Sequence, residues 1–208
     1  PSDINENFDL TLTTTSTATD IYTPTLPNEI AMSVTGDADA PTLTTQNASG
    51  TEDSAIALNI ASALTDTDGS ETLSVTISGV PDGAALSAGT NNGDGSWTLT
   101  PAQLSGLTIT PPSDSNENFD LTVTATSTEN DGDTATTSNQ ITVNVTGDAD
   151  APTLTTQNAS GTEDSAIALN ISSALTDTDG SETLSVTISG VPDGANLSAG
   201  TNNGDGSW

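Results

Sequence analysis

The chain of 208 residues contains no lysine, no arginine, no histidine and no cysteine. Each absence removes a class of chemistry. Without cationic side chains no internal salt bridge can form, apart from one at the N-terminal amine. Nor is there any Lys or Arg to meet a phosphate, which excludes nucleic acid, acidic membranes and anionic ligands as partners. Without cysteine there are no disulfide staples, no thiolate metal site and no thiol chemistry. Aromatic residues make up 2% of the chain, and no stretch approaches the roughly 20 apolar residues that span a bilayer. No signal peptide opens the sequence, but residue 1 already falls inside a repeat, so that says nothing about secretion.

What is present is acid. The 29 Asp and Glu residues give a formal charge of −29. Such self-repulsion destabilises a compact state unless something screens it, and the physical candidates are high salt and bound divalent cations. Long acidic sequence with few aromatics is also a mark of disorder. Against disorder stands the regular alternation of apolar residues along most of the chain.

The second positive feature is repetition. Residues 40–97 recur at 151–208 with two changes, Ala61 to Ser172 and Ala85 to Asn196, and PSDINENFDL at 1–10 recurs as PSDSNENFDL at 112–121. The period is 111 residues, far beyond the roughly 20–50 of solenoid repeats and suited to a small domain. GDADAP at 36–41 and again at 147–152 interrupts the alternation as a linker does. The expected organisation is a C-terminal part of one repeat (1–39), a complete repeat (40–150) and an N-terminal part of the next (151–208). Fifteen acids lie in 40–150 and seven in each flank, so the charge belongs to every repeat. Around residues 20–27 the first part diverges: Ile21 and Tyr22 stand where Gly132 and Asp133 are expected, leaving Asp20 without its acidic partner.

Within one repeat, period-two patterning rich in β-branched residues marks seven strands. They are centred on Leu43; Ile56, Leu58 and Ile60; Leu73, Val75 and Ile77; Trp97 and Leu99; Leu107 and Ile109; Phe119, Leu121, Val123 and Ala125; and Ile141, Val143 and Val145. The expected fold is all-β, a seven-stranded antiparallel Ig-like or cadherin-like sandwich in tandem. Short helical turns are expected at Pro101–Leu104 and around Ala61–Leu64. If strand direction alternates, 65–71 and 129–133 gather at one pole beside the incoming linker 36–39. The turn 50–53 and the loop 111–118 then gather at the other, beside the outgoing linker 147–150.

The acids concentrate at these poles. Asp66-Thr-Asp68-Gly-Ser-Glu71, repeated as Asp177, Asp179 and Glu182, has alternate aspartates before a glycine, a pattern that lets several hard oxygens converge on one Ca²⁺. The bland reading is a solvated Asp-Gly turn. The EF-hand pattern is not met, since its twelfth-position glutamate and flanking helices are missing. The linker pair Asp37 and Asp39, repeated as Asp148 and Asp150, reads alone as a polar linker. Glu52 and Asp53, repeated as Glu163 and Asp164, read equally well as turn residues. Asp131 and Asp133 on the 129–133 turn, with Asp114 and Glu117 before the sixth strand, complete the candidate metal ligands.

Taken together, Glu52, the Asp66-Thr-Asp68-Gly loop, Asp114 to Glu117 before FDLTVTATS, and Asp148-Ala-Asp150-Ala-Pro resemble the calcium-site pattern of cadherin-type domains. The linker lacks the Asn-Asp-Asn core of that family, and Ser127 stands near the place of its sixth-strand aspartate. The wording TEDSAIALNISSALTDTDGSETLSVTISGVPDG and GDGSWTLTPAQLSGLTITPP is similar to repeats of giant RTX-type bacterial adhesins exported by type I secretion. The resemblance implies Ca²⁺ as the bound ion, neighbouring repeats as partners, an extracellular bacterial surface location and a role as a stiffened spacer in a fibre. A carbohydrate- or ice-binding module is the alternative, since Thr11-Leu-Thr and Thr122-Val-Thr have the TxT form. Any Thr-rich strand produces that form. A two-carboxylate hydrolase fits poorly, because the acids sit in polar loops with no His, Cys or Lys and only two Trp in the chain. The exposed edges of the two partial repeats also raise head-to-tail complementation between molecules.

Overall fold

The computed structural model describes residues 7–15 and 25–208. The divergent Asp20, Ile21 and Tyr22 lie outside the described residues. The chain divides into two compact units, 1–113 with 117–146 and 147–208 with 114–116. No helix among the described residues is long and apolar enough to cross a membrane.

In the first unit, β1 (Phe8–Thr15) and β2 (Thr25–Met32) form an antiparallel pair. The complete repeat follows with β3 (Thr42–Thr45), β4 (Ala48–Thr51), β5 (Ile56–Ala57), β6 (Ile60–Ala63), β7 (Glu71–Ser78), β8 (Ala85–Leu86) and β9 (Thr90–Asn91). It continues through β10 (Ser96–Leu99), β11 (Thr108–Thr110), β12 (Phe119–Glu129) and β13 (Thr134–Thr146). One sheet has the order β4-β13-β12-β7-β10-β9, and the opposing layer is made of β5-β11-β8 and β3-β6. Val75, Ile77, Leu121, Val123, Ile141 and Val143 from the first sheet share one core with Ile56, Ile60, Leu86 and Ile109 from the other layer. This is an all-β sandwich.

The alternation works as the period of a strand requires, because successive side chains point to opposite faces. In β12, Leu121, Val123, Ala125, Ser127 and Glu129 are buried, while the threonines between them are half-exposed. Threonine suits those positions through its β-branch and its hydroxyl.

The strand count and two local assignments differ from the sequence reading. The segment at Leu43 is two strands, β3 in one layer and β4 in the other. The switch occurs where the Gln46 N–H donates to the Asn59 carbonyl at 3.2 Å and Asn47 Oδ1 accepts the Thr142 N–H at 3.1 Å. The Ile56–Ile60 segment likewise divides into β5 and β6, and β8 and β9 are additional short strands. Alternating direction makes the first and last strands run the same way, so β4 pairs with β13 in parallel, Val143 opposite Ala48. The sandwich is therefore not wholly antiparallel.

The turn at Pro101–Leu104 is a 3-10 helix, and Gln103 Oε1 caps the Thr100 N–H at 2.9 Å. The turn expected around Ala61–Leu64 is instead strand β6. There an edge partner outweighs weak local propensity: β6 pairs with β3, and the Ser62 hydroxyl donates to the Thr42 carbonyl at 2.7 Å.

In the second unit, β14 (Thr153–Thr156) and β15 (Ile171–Ala174) pair in the register of β3 and β6, Thr153 opposite Ala174 as Thr42 is opposite Ala63. Ser189 and Ser207 bridge as Ser78 and Ser96 do. The counterparts of β4, β5 and β7 do not form strands. Their partners in the complete repeat, β13, β11 and β12, have no counterpart within 151–208.

Two glycines test the packing. Gly79 (φ +81°) has the Asp120 carbonyl oxygen 2.7 Å from where a Cβ would stand, whereas Gly93 (φ +84°) has nothing within 4 Å. Gly93→Ala is expected to cost the left-handed backbone penalty of about 1–2 kcal/mol, and Gly79→Ala to cost more, because backbone must also move. Urea unfolding followed by Trp97 fluorescence in a Trp208→Phe background measures both. Equal losses would show that the close approach at Gly79 does not hold.

Candidate metal centre

The incoming pole of the complete repeat lies within the first unit. Its linker backbone is held by acids: the Ala38 N–H donates to Asp133 Oδ2 at 3.0 Å, and the Asp39 N–H donates to Glu71 Oε1 at 2.6 Å. The Asp39 carbonyl accepts the Ser127 hydroxyl at 2.6 Å, and the Ala40 carbonyl accepts the Thr65 hydroxyl at 2.7 Å. Strand alternation thus brings 36–39, 65–71 and 129–133 together, as read from the sequence.

Both acidic loops fold on themselves. Asp66 Oδ1 accepts the Asp68 N–H at 2.9 Å, Asp68 Oδ1 accepts the Ser70 N–H at 2.7 Å, and Asp131 Oδ1 accepts the Asp133 N–H at 3.1 Å. This is the aspartate turn chemistry that the bland reading anticipates. Three members of the pole go further and are buried: Asp66, Glu71 and Glu129. Glu71 is 6% exposed, and its Oε2 is buried with no hydrogen-bond partner. Asp37, Asp68, Asp131 and Asp133 are exposed.

Glu129 was absent from the sequence-derived ligand set. It is 4% exposed, and its Oε1 accepts the Ser70 hydroxyl at 3.1 Å. A Cβ at Gly36 would lie 2.7 Å from its carboxyl carbon, so glycine there leaves room for the carboxylate. The signal was available: the inward series Leu121, Val123, Ala125 and Ser127 continues by two to Glu129.

The Ser70 hydroxyl beside it and the Ser70 N–H that donates to it hold the Asp68 carboxyl below the ordinary aspartate range. The Ala38 and Thr134 N–H groups do the same for Asp133. In both, the small desolvation effect acts the opposite way and loses.

The second unit repeats the loop. The Asp150 N–H donates to Glu182 Oε1 at 2.5 Å, the Asp179 N–H to Asp177 Oδ1 at 2.8 Å and the Ser181 N–H to Asp179 Oδ1 at 2.6 Å. Glu182 Oε2, like Glu71 Oε2, is buried without a hydrogen-bond partner. One bond differs: the Ser181 hydroxyl donates to Asp177 Oδ2 at 3.0 Å, where the Ser70 hydroxyl donates to Glu129 Oε1. Asp177 is 1% exposed. It brings a carboxylate oxygen within 4.8 Å of one from Asp179, and Asp114 and Asp150 approach each other equally closely. The Ser181 hydroxyl beside it and the Ser181 N–H that donates to it, with a smaller effect from the Asn116 N–H, hold Asp179 below its ordinary range.

Glu52 is buried in the first unit, its N–H donating to the Thr146 carbonyl at 3.0 Å. Asp53, Glu117, Asp148, Glu163 and Asp164 are exposed. Asp53, Asp114 and Asp164 have φ of 55°, 51° and 57°, a left-handed conformation that aspartate tolerates better than most residues. What the gathered groups offer chemically is hard oxygen: carboxylates and backbone carbonyls of the kind that Ca²⁺ takes six to eight of.

Carboxyl-carbon NMR titration in chelator is expected to place Asp68 and Asp133 below the ordinary aspartate value. Because the folded value is depressed, their stabilising contribution is complete above the unfolded value near about 3.9 and is lost as pH falls through the lowered one. Titration at or above the ordinary value would mean that the bonds from Ser70 and Ala38 do not persist in solution.

Among solved structures the chain is similar to the crystal structure of mouse protocadherin-24 EC1-3, at 22% identity and a TM-score of 0.31, over 67% of this chain and 46% of that one. The alignment thus spans about half the length of that structure. The sandwich assignment rests on the chain's own sheets and core. No family model matches the chain, and no curated protein matches it significantly.

Proposed function

We propose that the chain is part of a calcium-rigidified, non-catalytic extender: cadherin-like tandem modules of a long RTX-type bacterial adhesin on the cell surface. In this reading the modules space a terminal ligand-binding region from the cell. The observation that carries the calcium part is Glu71, whose carboxylate is 6% exposed with Oε2 unpartnered, in a chain with no cationic side chain. A carboxylate oxygen buried in that way needs a cation or a proton. The chain has no cationic side chain to supply that charge. Bridging linker and loop carboxylates with Ca²⁺ replaces repulsion by attraction and fixes the linker. The adhesin part rests on the resemblance of the repeat's wording.

The carbohydrate alternative draws little from a groove of the complete repeat, about 730 Å³ in volume. Thr44, Gln46, Asn59, Leu104 and Leu107 are among its lining residues, and no aromatic ring among them offers a stacking platform.

Calcium is expected to raise the unfolding temperature and to stiffen the chain in small-angle scattering. At a concentration 100-fold above its Kd, one site contributes about 2.7 kcal/mol. Glu71→Gln is expected to reduce the calcium-dependent rise while leaving the chelated protein folded. Unfolding and scattering curves unchanged by chelator would sink the proposal.

A further inference from the structure

β9 and β10 form the outer hairpin of the six-stranded sheet, with β9 at its edge. Trp97 pairs with Asn91 and Thr98 with Thr90, and the Asn92 N–H donates to the Ser96 carbonyl at 3.0 Å. The tip is Asn92-Gly93-Asp94-Gly95, in which Gly93 has φ +84° and Gly95 φ +78°, values that glycine adopts without strain. The turn thus places a glycine directly after an asparagine, both of them exposed. That pair carries a reactivity of its own. With no side chain on the second residue, its backbone nitrogen meets no steric bar on the way to the asparagine amide carbon, and nothing else crowds Gly93 within 4 Å.

Two sets of contacts oppose that approach. The nucleophile is held, because the Gly93 N–H donates to Asn91 Oδ1 at 2.8 Å. The electrophile is held as well: Asn92 Nδ2 donates to Ser96 Oγ at 2.9 Å and to Thr98 Oγ1 at 3.1 Å, which ties the amide to β10. The copied turn in the second unit has the same ties. There the Gly204 N–H donates to Asn202 Oδ1 at 2.8 Å and Asn203 Nδ2 donates to Ser207 Oγ at 3.0 Å. Attack needs the reacting atoms aligned at about 3–3.5 Å, so these bonds must break before the ring can close.

We propose that Asn92-Gly93 is a self-modification site latched by its own hairpin: while the tip is closed the amide persists, and when the tip opens Asn92 deamidates. The Gly93 nitrogen bonds to Asn92 Cγ, the Cγ–Nδ2 bond breaks, and ammonia leaves with the proton that Gly93 gives up. Water then opens the cyclic imide at either carbonyl, leaving aspartate or isoaspartate at position 92. Water is the co-reactant, and nothing is oxidised or reduced. Both products replace an amide that donates to Ser96 and Thr98 by a carboxylate that cannot, in a chain with no cationic side chain to balance it. Isoaspartate also lengthens the backbone by one methylene and so breaks the pairing of β9 with β10. An edge hairpin opens more readily than the core strands, so the modification records local opening of the sheet without requiring the repeat to unfold.

The test incubates the 208-residue chain at mildly alkaline pH, folded and in urea, and follows position 92 by peptic digestion and mass spectrometry. Deamidation in urea is expected to outpace that in the folded chain by roughly tenfold or more. Gly93→Ala is expected to slow the reaction in urea, where its methyl group hinders the attacking nitrogen. In the folded chain Asn91→Ala, which frees the Gly93 N–H, and Thr98→Val, which removes one tie on the amide, are each expected to speed it. Trp97 fluorescence in a Trp208→Phe background confirms that each variant stays folded. Equal rates in buffer and in urea overturn the latch, as do folded variants that react no faster than the parent chain. An Asn92 that stays intact in urea overturns the site itself.

Discussion

A strand in this protein exists only where a neighbouring strand can pair with it. Residues 40–97 and 151–208 differ at two positions, yet the first stretch carries β3 through β10 up to Trp97, and the second forms only β14, β15 and one isolated bridge. The difference is not propensity, because the propensities are the same. It is the presence of β11, β12 and β13, which pair with β5, β7 and β4 in their own sheets. β14 and β15, both inside the copied stretch, keep the register of β3 with β6, while the β7–β10 ladder is reduced to the Ser189–Ser207 bridge.

The second constraint is the absence of a positive side chain. Carboxylates here are satisfied by N–H and hydroxyl donors, chiefly from the chain itself at a distance of two residues. That solution is local and inexpensive at exposed turns such as Asp131–Asp133. It fails at Glu71, which spends one oxygen on the Asp39 N–H and has the other enclosed. The linker is thereby tied to the sandwich through a buried acid.

Much of the architecture was legible from period-two alternation: the inward residues of β7, β12 and β13, the core itself, and the gathering of 36–39, 65–71 and 129–133 at one pole. The switch of the first strand between layers was not. It depends on Asn47 and Gln46 finding backbone partners at Thr142 and Asn59, contacts 95 and 13 residues away that no local pattern encodes. β6 was missed for a related reason, since Ala61–Leu64 has little strand character until β3 lies beside it. At the site, the acidic loops were legible as clusters, but not which acids are buried. Glu129 ends the inward series of β12, where the apolar residues of that face have given way to Ser127.

The parallel pairing of β4 with β13 has a mechanical consequence. The chain enters the complete repeat through the strand that becomes β4 and leaves it through β13, and these two lie side by side running the same way. A pull on the two ends therefore drives them past each other along their own axes. The hydrogen bonds from Ala48–Thr51 to Val143–Thr146 then carry the load together, in shear, and do not open one at a time as in a peeled hairpin. Resistance to force is set by the barrier to unfolding. In this fold that barrier is raised by connectivity alone, before any ion is bound.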